Sequence, residues 1–218
     1  MKILSIKCSL LLILYVNYSC SQNYSSRLND IKKLDPIEVN NDSIHKAYFA
    51  SGCFWCVEAI YESLKGVKEV TSGYSGGFTD YPTYELVNTE TTGHAETIEI
   101  IYNPKIISFS QLIDVYFGSQ NIEQINGQGP DQGSQYRSII FFQNQEEKQI
   151  AVNKINYLEA NLSLNVAAEV YPFQKFWIAE DYHQDFKKNN KNNIYIIKVS
   201  NPRFEKFSKK FNDLIEKN

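Results

Sequence analysis

The chain has 218 residues, 43% hydrophobic and 14% aromatic, enough to bury one sizeable core. A formal charge of −3 leaves no basic footprint of the kind nucleic-acid binding requires, so no nucleic-acid partner is expected. Fifteen tyrosines and 13 phenylalanines make a site with aromatic walls and phenolic donors feasible.

Residues 1–20 read MKILSIKCSLLLILYVNYSC. Lys2 and Lys7 precede an apolar run from Cys8 to Val16, the charged-then-apolar order of a secretory signal. The run is too short to span a bilayer. Cys20, after Ser19, resembles a bacterial lipoprotein processing site, where the cysteine is acylated and becomes the first mature residue. Asn17 and Tyr18 depart from that pattern, and plain cleavage nearby is the alternative. The expected division is a signal peptide over 1–19, a polar tether with little fixed structure over 20–44, and a folded domain over 45–218. An exported, lipid-anchored protein of the bacterial cell envelope or periplasm follows from it.

The folded part opens with KAYFA, a short apolar strand, which runs through Ser51 and Gly52 into the segment CFWCVEAIYESLKG. Val57, Ile60, Tyr61 and Leu64 fall at helical spacing and Gly66 is the stop, so Cys53 lies at a helix N-terminus. Val67 to Gly73 predicts a strand, followed by a glycine-rich loop. AETIEIIYNP is a strand, SQLIDVYFGSQ a short helix, and NGQGPDQGSQ an extended loop. YRSIIFF predicts a strand, NQEEKQIAVNKINYLEAN a helix, and NVAAEV another strand. Phe204, Phe207, Phe211 and Leu214 repeat at helical spacing, so the tail packs down. Strands and helices mix without regular alternation, which predicts an α+β fold: a two-layer sandwich of helices on a mixed or antiparallel sheet, with long loops.

Of the four cysteines only Cys53 and Cys56 fall in the folded part, too few for a disulfide framework. A thiol at a helix N-terminus is expected to ionise below the free value of about 8.5, which makes it a nucleophile. Phe54 and Trp55 are either core packing or the walls of a small apolar pocket that would hold a methyl group. Glu96, at the mouth of a strand in TTGHAETIEI, is a solvated charge unless it faces such a pocket, where it becomes a proton donor. His94 is expected to orient its loop. DQGSQYRS delivers Asp131, Gln135, Tyr136 and Arg137, and YPTYELV offers Tyr84.

GCFWC, GYSGG, PTYELV, GHAETIEIIYNP, DQGSQYRS and AEDYHQDF, in this order, resemble the peptide methionine sulfoxide reductases that act on the S epimer. The resemblance runs from about Ala47 to Phe211 and implies a ferredoxin-like core. It implies that Cys53 attacks the sulfoxide sulfur and that Glu96 protonates the departing oxygen. Tyr84 and Tyr136 would donate hydrogen bonds to that oxygen, with Asp131 in the same polar cluster. Phe54 and Trp55 would hold the substrate methyl group. Cys53 would become a sulfenic acid, with no metal and no bound cofactor required.

Many family members have glycine at the place of Cys56 and carry recycling cysteines in the tail, whereas the tail here, FEKFSKKFNDLIEKN, has none. Cys56 is therefore expected to resolve the sulfenic acid as a Cys53–Cys56 disulfide, the rival being direct reduction of Cys53 by an external thiol. Electrons are expected from thioredoxin or a thioredoxin-like dithiol. The expected substrates are oxidised proteins and free methionine sulfoxide, acted on by a monomer. Asn103 stands where aspartate is common, and NPRFEKF varies a lysine-bearing segment; neither touches the expected chemistry.

Three other classes fit the sequence less well. A thioredoxin-like disulfide oxidoreductase would use the C-x-x-C pair but leave GHAE and QYRS without a role. A zinc module needs four ligands at short spacing, which His45 and His94 do not supply. A surface-anchored binding protein that has lost catalysis would have no use for the intact Cys, Glu and Tyr set.

Overall fold

The computed structural model describes residues 23–41 and 44–216, so the expected signal segment 1–19 and Cys20 lie outside the described residues. The described chain begins with a helix, α1 (23–31), and an extended stretch that leads into strand β1 (His45–Ser51). Helix α2 (Phe54–Glu62) follows directly, and Cys53 is its N-cap. Next come β2 (Val67–Ser75), the one-turn helix α3 (Tyr84–Val87), β3 (Ala95–Tyr102) and α4 (Phe109–Gly118). Ser108 and Gln111 close a reciprocal capping box at the start of α4, which fixes where that helix begins.

The expected glycine-rich loop folds into a small hairpin of β4 (Gly127–Gln128) and β5 (Asp131–Gln132), then a 3-10 turn over Ser134–Tyr136. Strand β6 (Ser138–Phe142) and helix α5 (Gln145–Leu162) follow, with Asn144 as N-cap. Two short strands, β7 (Glu169–Pro172) and β8 (Phe176–Ile178), precede α6 (Phe186–Asn189). A π-helical turn over Ile196–Ser200 leads into α7 (Asn201–Lys210). Among the described residues no helix is long and apolar enough to cross a membrane.

Six strands form one mixed sheet in the order β7-β6-β1-β3-β2-β8. Every neighbouring pair is antiparallel except β6 with β7. The inner four strands, with α2 between β1 and β2 and α4 between β3 and β6, make the β-α-β-β-α-β arrangement of a ferredoxin-like core. The strand expected over 165–170 starts only at Glu169, because the Ala167 N–H donates to the Ile122 carbonyl outside the sheet (2.8 Å).

Both faces of the sheet are apolar. Along β1, Ala47 and Phe49 point to the helical core while Tyr48 and Ala50 point the other way, the period-2 alternation of a strand buried on both sides. The helices cover the first face. The second, with Phe141, Tyr171 and Phe173, needs another cover, and this explains a departure from expectation. The stretch read as a loose tether packs Ile31 and Val39 against that face. Backbone pairing of Ile37 with Phe173 (2.8 Å) and a bond from Val39 N–H to Gln143 Oε1 (3.0 Å) hold it there. Arg27 lies over the Phe78 ring, 3.8 Å from its centroid. Polar composition misled because a few apolar side chains at the right places suffice to close a sheet face.

Candidate active site

The β1-to-α2 turn sets the position of Cys53. Gly52 has φ +76°, and a Cβ there would lie 2.4 Å from Gln128 Cβ, so only glycine lets the turn pack against the β4 hairpin. Gln128 is itself latched: its Nε2 donates to Gln120 Oε1 and to the Asn121 carbonyl, each at 3.1 Å, and its Oε1 accepts from Asn121 N–H at 2.8 Å. Cys53 and Cys56 are both buried, reduced thiols one turn apart at the start of α2.

Glu96 reaches this turn from the second position of β3. Its side chain is 2% exposed, and Oε2 accepts from Phe54 N–H at 2.9 Å. Burial pushes its pKa up to about 8; the Phe54 N–H opposes the shift and the charge of Asp131 adds to it. Glu96 is therefore a protonated acid at neutral pH, with a preformed donor waiting for its conjugate base.

The free helix-terminal amide is thus given to Glu96 and not to sulfur, and the expected depression of the Cys53 pKa does not occur. Burial, the hydrogen bond to Cys56 and the charges of Cys56 and Glu96 together raise Cys53. Cys56 is lowered: the Cys53 hydrogen bond and the Arg203 charge outweigh its burial. The two thiols share a hydrogen bond and titrate as a pair, with the Arg203 charge favouring its anion.

Tyr84 and Tyr136 join the cluster from separate elements. Tyr84 opens α3, and Tyr136 ends the 3-10 turn after the β5 strand. Both phenols are raised by burial and feel the charges of Glu96 and Cys53, so both remain O–H donors. Asp131 is held by Tyr195, whose hydroxyl donates to Oδ2 at 2.5 Å. The Cys56 sulfur lies 3.9 Å from the same hydroxyl. Burial raises the Asp131 carboxyl while the Tyr195 bond opposes it.

Phe54 and Trp55 contribute different surfaces. Phe54 is fully buried, its ring 4.9 Å from the His183 ring. Trp55 is half-buried and stacks on Phe186 at a centroid distance of 3.6 Å. His183 completes the wall: Nδ1 accepts from Trp55 Nε1–H at 3.0 Å, and its ring is 4.5 Å from Tyr84. Glu180 then ties the two sides together by accepting from Tyr84 N–H and from the Tyr74 hydroxyl, each at 2.9 Å.

Cys53, Cys56, Glu96, Tyr84, Tyr136, Asp131, Phe54 and Trp55 are thus brought to one place. Two other motif residues are not part of it. His94 accepts from Gly77 N–H (3.2 Å) and donates through Nε2 to the Thr79 carbonyl (2.8 Å), which makes it a loop brace. Arg137 is buried and donates to the carbonyls of Gly93 (2.7 Å) and Ser134 (2.9 Å), clamping the Glu96 loop to the Tyr136 turn. His183 and Tyr195 were missed by sequence reasoning. The first had a signal, its place between aromatics in AEDYHQDF; the second, in NNIYIIK, had none. Among the described residues no group of three or more His, Cys, Asp or Glu is arranged to hold a metal ion.

The cluster pairs a buried dithiol with a neutral carboxylic acid and two phenolic donors, beside an aromatic wall. Such a set can reduce a small polar oxide carried on an apolar group. The family profile described as peptide methionine sulfoxide reductase matches residues 45–215. The peptide methionine sulfoxide reductase MsrA of Pasteurella multocida is 43% identical over 169 residues, covering 78% of this chain and 97% of that protein. The MsrA of Saccharolobus solfataricus is 44% identical over 170 residues, covering 78% and 96%. Among solved structures, reduced Mxr1 from Saccharomyces cerevisiae superposes with a TM-score of 0.65 at 30% identity, covering 72% of this chain and 91% of that one. Methionine sulfoxide reductase A of Corynebacterium diphtheriae gives 0.63 at 27% identity, covering 73% and 83%.

Proposed function

The chain belongs to the peptide methionine sulfoxide reductase family, and from that premise we propose how its residues divide the reduction of methionine S-sulfoxide between them. The observation that carries the proposal is a buried, neutral Glu96 seated on the same helix end as Cys53. Phe54, Trp55 and His183 receive the substrate's methyl group, which sets which epimer presents its oxygen to Glu96. Cys53 sulfur attacks the sulfoxide sulfur while its proton passes to the Cys56 thiolate, which acts as base. Glu96 gives its proton to the oxygen, and the Phe54 N–H stabilises the carboxylate that remains. Tyr84 and Tyr136 donate to the same oxygen as charge gathers on it.

The protonated oxygen passes from the substrate sulfur to the Cys53 sulfur as the bond between the two sulfurs breaks, so the sulfide leaves with the electron pair and Cys53 becomes a sulfenic acid. Cys56 thiol then attacks the Cys53 sulfur, the S–S bond forms, and the hydroxyl departs as water. A thioredoxin-like dithiol reduces the disulfide and is itself oxidised. Given the two methionine sulfoxide epimers separately with dithiothreitol, the protein is expected to consume the S epimer alone. Consumption of neither, with general disulfide exchange instead, would mean that the pair is only a redox couple.

We further propose that the enzyme acts outside the cytosol. The charged-then-apolar order of residues 1–16 and the position of Cys20 support export and acylation. Envelope proteins would then be the clients, and the dithiol reductant would be fed with electrons across the membrane. In a bacterial host, labelled fatty acid is expected on the wild-type chain and not on Cys20→Ser. Equal labelling of both, or activity confined to the cytosol, would remove this placement.

A further inference from the structure

The two sulfurs do not face the same surroundings. A groove of about 550 Å³ on the side of α7 is lined by Cys56, together with Asp131, Tyr195, Lys198, Arg203 and Lys206, and Cys53 does not line it. Whatever reaches the disulfide from this groove meets the Cys56 sulfur first.

The groove lies in the most basic part of the chain. Residues 187–210 hold seven lysines and Arg203 against a single acid, Glu205, in a protein whose net charge is −3. Among the described residues, only Lys188 of these cations pairs with a carboxylate within 4.0 Å, Asp185 at 3.3 Å. Lys198, Lys206, Lys209 and Lys210 stand exposed along one helical stretch. Ile194 and Ile197, 70% and 51% exposed, lie on the same stretch beside Tyr195. The groove's apolar lining of Val199, Pro202 and Phe207, with a rim of Lys198, Arg203 and Lys206, has the anatomy of a protein-docking surface. Here the rim specifies an acidic partner.

We propose that this lysine-rimmed groove is the docking face for the enzyme's electron donor, a dithiol protein with an acidic surface around its reactive thiols. The inference rests on Cys56 being the resolving thiol. The donor's thiolate attacks the Cys56 sulfur, the Cys53–Cys56 bond breaks, and the electron pair leaves on Cys53, which takes a proton. The donor's second thiolate then attacks its own sulfur in the mixed disulfide and releases Cys56 as a thiolate, while the donor departs oxidised. Arg203 favours that release. It is fixed beside Cys56 by bonds to the Ser119 carbonyl (2.9 Å) and the Ser51 carbonyl (3.0 Å), and its charge stabilises the Cys56 anion. Phe54, Trp55 and His183, which build the substrate's aromatic wall, do not line this groove.

The test compares the full protein with a Lys198→Glu/Lys206→Glu/Lys209→Glu variant under two reductants, dithiothreitol and a purified acidic thioredoxin. With thioredoxin, kcat/KM is expected to fall about 10-fold or more, and its dependence on ionic strength to flatten or reverse. With dithiothreitol, turnover is expected to stay within about twofold of the parent, since small dithiols need no steering. Equal thioredoxin kinetics in parent and variant would overturn the proposal. So would loss of binding to phosphatidylglycerol vesicles with thioredoxin kinetics unchanged, which would give the face to a membrane. Cys56→Ser in the same assay separates the two layers. If it turns over normally with thioredoxin, the resolving role itself fails; if it stops while the lysine variant is unaffected, only the docking face is wrong.

Discussion

Glu96→Gln is expected to lower kcat/KM for the S-sulfoxide by about 10²–10⁴-fold, the usual scale for losing a positioned general acid. Glutamine keeps the shape and still accepts from Phe54 N–H, so the loss reports the missing proton and not a collapsed site. The pH profile gives a second readout. Because burial holds Glu96 up at about 8, the parent's activity falls as pH rises through that value, and this limb disappears in the variant. Stability falls with rising pH as well. A carboxyl whose folded pKa is raised binds its proton more tightly in the native state. Native stability therefore declines as pH rises from the ordinary glutamate value of 4.5 up to about 8, by at most about 1.4 kcal/mol per pH unit. The variant is free of that decline and is expected to melt at a higher temperature than the parent at pH 8, while nearly inactive. A variant with parental activity, or one that melts lower at pH 8, would show that Glu96 is not a buried neutral acid.

Much of the site was legible because its parts sit at element ends, where local sequence speaks clearly. The glycine before Cys53, the helical spacing after it and the strand containing Glu96 each mark a boundary, and the boundaries converge. Residues whose role depends on distant packing were not legible. Tyr195 touches Asp131 only because the tail helix folds back over α2, a contact spanning 64 positions. His183 needed the edge strand β8 to bring it against Trp55, 128 positions away. The raised Cys53 pKa had the same origin, since burial by distant packing is its main cause. A helix N-terminus lowers the pKa of a thiol only if its amides are free, and here Glu96, from another strand, takes the first of them.

Cys56→Ser is expected to separate one turnover from many. The mutant retains Cys53, Glu96 and both tyrosines, so a stoichiometric amount of S-sulfoxide should still be reduced and Cys53 sulfenic acid should accumulate. With a protein dithiol as sole reductant, turnover should then stop, because no second thiol is buried within reach of Cys53: among the described residues Cys53 and Cys56 are the free cysteines. The first turnover should also slow, and its dependence on pH should shift upward. Serine cannot hold the anion that accepts the Cys53 proton, and Cys53, raised by burial, must then ionise without help. Mass spectrometry after dimedone trapping should find the adduct on Cys53 in the mutant and a Cys53–Cys56 disulfide in the parent. Steady turnover of the mutant with the protein dithiol would instead mean that the donor reduces Cys53 directly, and the second thiol of GCFWC would then serve only as the base for the first.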